Sequence, residues 1–225
     1  MAPVFTYLLI DLDDTLAPEW DFVAGGYRAA AQILARAVGR DADTVFNLFV
    51  YEHMKYGRYR IMDRMVAALK AEPALVPGLV RAYRDHPPDM HFYSGVREAL
   101  LRLSEAGCKL AVVTDGAIEI QRRKVESLGL RSAVDAIVLC LECKAPKPEV
   151  GAFQRAMELL RADPAKTIVV GDDPFHDLGA AAALGVPACR VRTGRYGQVQ
   201  SIGTSALCDF PAFVGVASWL LGEEC

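Results

Sequence analysis

The sequence predicts an α/β fold: a parallel sheet with helices on both faces, interrupted near its start by an all-helical block. Three observations lead there. Continuous apolar runs of strand length recur along the chain, amphipathic stretches separate them from about residue 108 onward, and the region from Ala17 to Met90 has helical patterning without a convincing strand. Continuous rather than alternating hydrophobicity marks strands covered on both faces. Alternation of such strands with helices marks a parallel sheet.

The first strand signal is Tyr7-Leu8-Leu9-Ile10, which stops abruptly at acids. Helical segments follow around Gly26–Val38, Asp43–Met54, Arg60–Lys70 and Val76–Arg84. Gly25-Gly26 costs helix stability and reads either as a hinge or as a helix start. His86-Pro87-Pro88-Asp89 is the expected return linker, because consecutive prolines block helix continuation. Val96 to Ala106 places Val96, Leu100 and Leu103 at helical spacing and ends at Gly107, a good helix-stopping residue. The strand signal then returns at Leu110–Val113, Ala136–Leu139, Thr167–Val170 and, shorter, Ala188–Val191. Helices are expected at Ile118–Leu128, Val150–Leu160, Leu178–Leu184 and Pro211–Leu221.

Of the 225 residues, 52% are hydrophobic and 24% charged, enough apolar material for a substantial core. The formal net charge of −3 argues against a nucleic-acid partner, which would call for a basic face. No apolar run of ~18 residues is free of charges, so no membrane span is expected. The first residues lack a basic segment followed by a long apolar one, which makes a cytoplasmic location the expectation. Six cysteines, at 108, 140, 143, 189, 208 and 225, are expected as reduced thiols rather than a disulfide framework. Cys140-x-x-Cys143 has no second pair to complete a zinc site. Oligomeric state is left open.

The polar clusters follow directly on the apolar strands: Asp11, Asp13, Asp14 and Thr15; then Thr114 and Asp115; then Lys147; then Asp172, Asp173 and Asp177. In open parallel sheets ligands bind beyond the carboxyl ends of the strands, so these clusters should converge. Carboxylates gathered at one edge repel each other unless a cation neutralises them. An oxygen-only donor set without histidine favours Mg²⁺, which keeps waters for a substrate phosphate. A phosphoryl group would need the metal, a lysine and hydroxyl donors to enter such a pocket. If Asp11 ends a strand, Asp13 points to the same side two residues on. One carboxylate can then attack phosphorus while the other gives a proton to the leaving oxygen and later takes one from water.

With these motifs in order, the chain resembles the haloacid dehalogenase (HAD) superfamily, specifically its phosphatase-like members with a helical cap inserted after the first strand. The resemblance covers nearly the whole chain. It rests on Asp11-Leu12-Asp13-Asp14-Thr15, Thr114-Asp115-Gly116, Lys147-Pro148 and Gly171-Asp172-Asp173-Pro174-Phe175-His176-Asp177. The stretch Gln121-Arg122-Arg123-Lys124-Val125-Glu126-Ser127-Leu128-Gly129-Leu130 also resembles the helix that follows the second motif. The resemblance implies a Rossmann-like core at 1–16 and 91–225 and a helical cap at 17–90. It implies an aspartyl-phosphate on Asp11, acid and base work by Asp13, a phosphoryl contact from Thr114, and Lys147 steadying nucleophile and phosphate. Substrate contact would thus involve Asp11, Thr114, Lys147 and the neighbouring Asp115. Mg²⁺ would be held by Asp11, the backbone carbonyl of Asp13 and Asp172, with Asp177 supporting it directly or through water. Asp173 competes with Asp177 for that place. Lys144 competes with Lys147, which fits better because Lys-Pro is followed six residues later by Phe153.

Bland readings stand beside these. Asp14 and Thr15 suit a turn leaving a strand. In the helical block Trp20, Phe22, His53, Lys55, Tyr56, Arg58 and Tyr59 are candidates for substrate contact, and each aromatic is equally a packing residue. The expected activity is Mg²⁺-dependent hydrolysis of a small phosphorylated metabolite such as a sugar phosphate or nucleotide. A phosphomutase is the alternative in the same chemistry. A haloacid dehalogenase has no use for Asp13 as an acid. A phospho-accepting receiver-like domain would carry its acid on a later strand.

Overall fold

The computed structural model describes residues 4–200 and 206–223. By internal contacts the chain divides into two compact units, Met1–Glu19 with Met90–Cys225, and Trp20–Asp89.

The first unit is an α/β sandwich. Its strands are β1 (Tyr7–Ile10), β2 (Lys109–Thr114), β3 (Ala136–Leu139), β4 (Thr167–Gly171), β5 (Ala188–Val191) and β6 (Cys208–Phe210). They form one sheet in the order β3-β2-β1-β4-β5-β6, every neighbouring pair parallel. β1 is central, with Ile10 opposite Val112 of β2 on one side and Val170 of β4 on the other. That explains the continuous apolar run: Leu8, Leu9 and Ile10 are fully buried on both faces. One face packs Leu9, Ala111, Val113 and Val169 against Phe153 and Ala156. Register places the ends of β1, β2 and β4 side by side, and this aligns the polar residues that follow them.

In the helical unit, α1 (Glu19–Val38), α2 (Ala42–Tyr56), α3 (Ile61–Ala68) and α4 (Val76–Asp85) enclose their own core, centred on Tyr27, Leu34, Phe49, Met65 and Leu79. α1 begins seven residues before the expected Gly26, so Gly25 and Gly26 are neither hinge nor helix start. They lie inside the helix where two aromatic rings press against its backbone. A Cβ on Gly25 would come 2.7 Å from His86 Nε2, and one on Gly26 would collide with the Tyr83 ring. The helical cost of two glycines is thus offset by the close approach that they allow.

Back in the first unit, α5 (Val96–Glu105), α6 (Ile118–Ser127), α7 (Gly151–Leu160), α8 (Asp177–Leu184) and α9 (Phe213–Leu221) cover the sheet. Strand β6 was not expected, because three residues with a central Asp209 give no apolar run. It overturns one expectation about the cysteines. Cys208 lies opposite Cys189 of β5, Cα to Cα 4.8 Å, and the two are joined as a disulfide. Cys108, Cys140 and Cys143 are free thiols, whereas Cys225 lies outside the described residues. Among the described residues no helix is long and apolar enough to cross a membrane.

Candidate active site

The site forms where β1, β2 and β4 end. The Asp11 amide donates to Val170 O at 2.9 Å, which extends the β1–β4 pairing by one residue and holds Asp11 against the start of the Gly171-Asp172 turn. Asp11, Asp172 and Asp177 are buried, and each offers a carboxylate oxygen within 4.8 Å of the others'. Lys147 enters this cluster from the loop between β3 and α7. Its Nζ donates to Asp11 Oδ1 at 2.5 Å and to Asp177 Oδ1 at 2.7 Å.

Electrostatically the cluster is short of positive charge. Burial pushes the Asp172 carboxyl up to about 9, with Asp11 and Asp177 adding repulsion. Burial likewise pushes Asp11 up to about 7, and the nearby Lys147 charge only partly opposes it. Burial disfavours the Lys147 ammonium, but Asp11 and Asp177 outweigh it and hold its pKa above the ordinary lysine value. Among the described residues, the buried side-chain atoms without a partner include Asp172 Oδ2 and Thr114 Oγ1. Native structures rarely leave such atoms unsatisfied. Together with the all-oxygen donor set, the unpaired Asp172 oxygen fits a divalent cation, and Mg²⁺ suits the donor type.

The other expected site residues divide clearly. Asp13, half-buried in the loop after β1, turns its carboxylate to α6, where Lys124 Nζ donates to both oxygens at 2.7 Å. Gln121 Nε2 adds a third bond to Asp13 Oδ2 at 3.1 Å. Asp14 has a left-handed backbone with φ 58° and serves as a local tie. Its carboxylate accepts from the amides of Glu19 (2.9 Å) and Arg195 (3.3 Å), and its carbonyl accepts from the Thr193 hydroxyl. Asp115 spends both oxygens on backbone amides, those of Gly116 (2.8 Å) and Lys147 (3.1 Å), and so fastens the loop that carries Lys147 to the end of β2.

Both sequence ambiguities separate. Lys144 is exposed, whereas Lys147 is in the cluster. Asp173 accepts from the amides of Phe175 (2.8 Å) and His176 (3.1 Å) and from His176 Nδ1 (2.7 Å), so it organises the turn into α8. Asp177 belongs to the acidic cluster.

Three residues near the site were not singled out from sequence. Gln121 and Lys124 lie on the buried face of α6 with Val125, and a helical wheel would have shown two polar residues at inward positions. Arg190, fully buried on β5, donates to the carbonyls of Asp172 (3.3 Å) and Tyr196 (2.8 Å). Its short strand gave no reason to look for a carbonyl clamp.

Within the helical unit, Phe22 is buried against Tyr83 and His86, at ring separations of 5.8 and 4.5 Å. His53 pairs its Nδ1 with Tyr27 Oη at 2.8 Å and meets the edge of Trp20. Both are engaged in packing. Lys55, Tyr56, Arg58 and Tyr59 are exposed.

A strand-end set of this kind on this fold has known relatives. The family described as haloacid dehalogenase-like hydrolase matches residues 8–191. The chain belongs to this family. It is 27% identical over 214 residues to a glyceraldehyde 3-phosphate phosphatase of Methanopyrus kandleri, with 90% of this chain and 91% of the other covered. It is 28% identical over 199 residues to a ribulose-1,5-bisphosphate 5-phosphatase of Halopiger xanaduensis, covering 80% and 82%. Among solved structures, a HAD-superfamily hydrolase of subfamily IA from Geobacter sulfurreducens superposes with a TM-score of 0.71 at 18% identity, covering 97% of both chains. The protein is therefore a HAD-like hydrolase, with a buried acidic cluster of Asp11, Asp172 and Asp177 compatible with a divalent metal.

Proposed function

We propose that the protein hydrolyses a small phosphate monoester through a phosphorylated Asp11. The observation that carries this reading is the buried cluster of Asp11, Lys147, Asp172 and Asp177, with the unpartnered Thr114 hydroxyl at the end of the neighbouring β2. A carboxylate alone would be a turn residue. A carboxylate facing an ammonium, a spare hydroxyl and an unpaired acid is a place built for an anion and a cation together.

In this reading an Asp11 oxygen attacks phosphorus and the bond to the leaving oxygen breaks. Asp13 gives that oxygen its proton. Water then attacks the same phosphorus, gives a proton to Asp13 and releases phosphate, which restores Asp11. Thr114 donates its hydroxyl to a phosphoryl oxygen. Lys147 holds the Asp11 side chain in place and offsets charge in the pocket. Asp115 acts at one remove, through the Lys147 loop. Asp11 and Asp172, with Asp177 beside them and the Asp13 carbonyl in the nearby loop, would hold Mg²⁺, which supplies charge neutralisation at the phosphoryl oxygens.

The two curated relatives act, by their names, on phosphorylated three- and five-carbon sugars, which supports a small phosphorylated metabolite as substrate. The test is a screen of phosphorylated metabolites with Mg²⁺, comparing wild type with Asp11→Asn. A variant that keeps wild-type turnover would sink the reading.

A further inference from the structure

We propose that Lys124, helped by Gln121 one turn earlier on α6, is the positioning residue for Asp13. The inference rests on the reading of Asp13 as the proton carrier and adds the group that sets where this carboxylate points.

Lys124 is 2% exposed and its ammonium lies within 2.7 Å of both Asp13 oxygens. Taking an ammonium and a carboxylate out of water costs several kcal/mol per ion, and a buried pair is seldom a net source of stability. An apolar residue beside Val125 would pack α6 at least as well. What the pair does supply is direction. Asp13 stands in a loop near two other carboxylates, those of Asp11 and Asp14, and its charge acts on both. Left to itself, its side chain would be repelled from them or drawn to any cation placed among them. Lys124 and Gln121 hold it at α6 instead. A carboxylate has about four lone-pair sites, so these three donors leave one for the proton that passes to the leaving-group oxygen and is regained from water.

The arrangement extends into the second motif. Gln121 Nε2 also donates to the Asp115 carbonyl at 2.6 Å, which links Asp13 to the end of β2. Gly116, with φ 134°, leaves the room: a Cβ there would lie 2.7 Å from Gln121 Nε2. Each of the two working aspartates is therefore bonded by a different lysine, Asp11 by Lys147 and Asp13 by Lys124.

The test uses Lys124→Met, Lys124→Arg, Gln121→Leu, Asp13→Asn and the double variant Lys124→Met/Asp13→Asn. Each is assayed with p-nitrophenyl phosphate, whose leaving group needs no proton, and with an alkyl phosphate, whose leaving group does. Lys124→Met should lower kcat on the alkyl phosphate roughly 10- to 100-fold, a part of what general acid catalysis provides, and on the aryl phosphate far less. KM and the Mg²⁺ concentration for half-activity should stay put, and Lys124→Arg should recover most of the rate. In the Asp13→Asn background the Lys124 substitution should cost less than about twofold, because it acts through the residue already lost. Equal losses on both substrates, or additive losses in the double variant, would overturn the proposal and leave Lys124 a packing residue. Should Lys124→Met not fold, Gln121→Leu and Lys124→Arg carry the same comparison. If Asp13→Asn itself shows no leaving-group dependence, the acid–base reading of Asp13 fails, and this inference with it. If Asp13→Asn shows it and the α6 variants do not, only the role of α6 is refuted.

Discussion

Asp11 and Asp13 are two residues apart in sequence, yet they occupy opposite electrostatic situations. Around Asp11 three buried carboxylates share one ammonium, and two of them are pushed up to about 7 and about 9. Around Asp13 one half-buried carboxylate meets an ammonium at both oxygens and an amide at one. The first side is incomplete without a further cation; the second is balanced by the chain itself. On the proposed mechanism, that difference separates the group that handles phosphorus from the one that handles a proton.

The largest effect should come from the incomplete side. Asp11→Asn removes the attacking oxygen and a cation ligand together, and turnover should fall roughly 10⁴-fold or more, as for other lost nucleophiles. Lys147→Met comes next. It strands buried Asp11 and Asp177 without the ammonium that bonds both, an event that typically costs about 3–5 kcal/mol. Because a cation bound among the same acids would replace part of that charge, the loss in thermal stability should be smaller with Mg²⁺ than with chelator. Lys124→Met should show no such rescue. A Lys147→Met deficit indifferent to Mg²⁺ would mean that the two sides are not different in the way described.

A pH series sharpens the same contrast. In the metal-free fold Asp172 and Asp11 keep protons that the unfolded chain, with carboxyls near 3.8, has already released. Unfolding therefore releases protons over the window from that value up to about 7 for Asp11 and about 9 for Asp172. Stability contributed by these groups falls as pH rises through it. Bound Mg²⁺ favours the ionised acids, so its stabilising effect should grow with pH. Melting temperatures in chelator and in Mg²⁺ at about pH 5, 6.5 and 8 measure this. A Mg²⁺ increment that stays flat across that range counts against the acidic cluster as the cation site.

The sequence made one side much more legible than the other. The Asp11 side is written largely in strand ends: Asp11 and Asp172 directly follow β1 and β4, Thr114 ends β2, and parallel register brings those ends together, while Lys147 comes from the loop after β3. Asp172 and Lys147 were therefore found by order alone. The Asp13 side depends on which face of a helix is buried, and Lys124 reads as a solvated lysine until α6 is docked. Arg190 and the Cys189–Cys208 pair were hidden for a related reason, since β5 and β6 are short and their pairing is long-range. In the helical unit, composition suggested contact residues at His53 and Phe22. Tertiary packing engages both, with Tyr27 and with Tyr83 and His86 respectively.

Asp14 should give the smallest effect, and it tests whether the division between neighbours in one motif is real. Its carboxylate accepts from the amides of Glu19 and Arg195, which an amide oxygen can do as well. Its φ of 58° is a conformation that asparagine tolerates as readily as aspartate. Asp14→Asn should therefore stay within about threefold of wild-type kcat on alkyl and aryl phosphates alike. Asp14→Ala, which loses the tie, should cost about 1 kcal/mol of stability. If Asp14→Asn instead reproduced the leaving-group dependence expected of Asp13→Asn, the proton work would not belong to Asp13 alone. The Lys124 pair would then be holding the wrong acid.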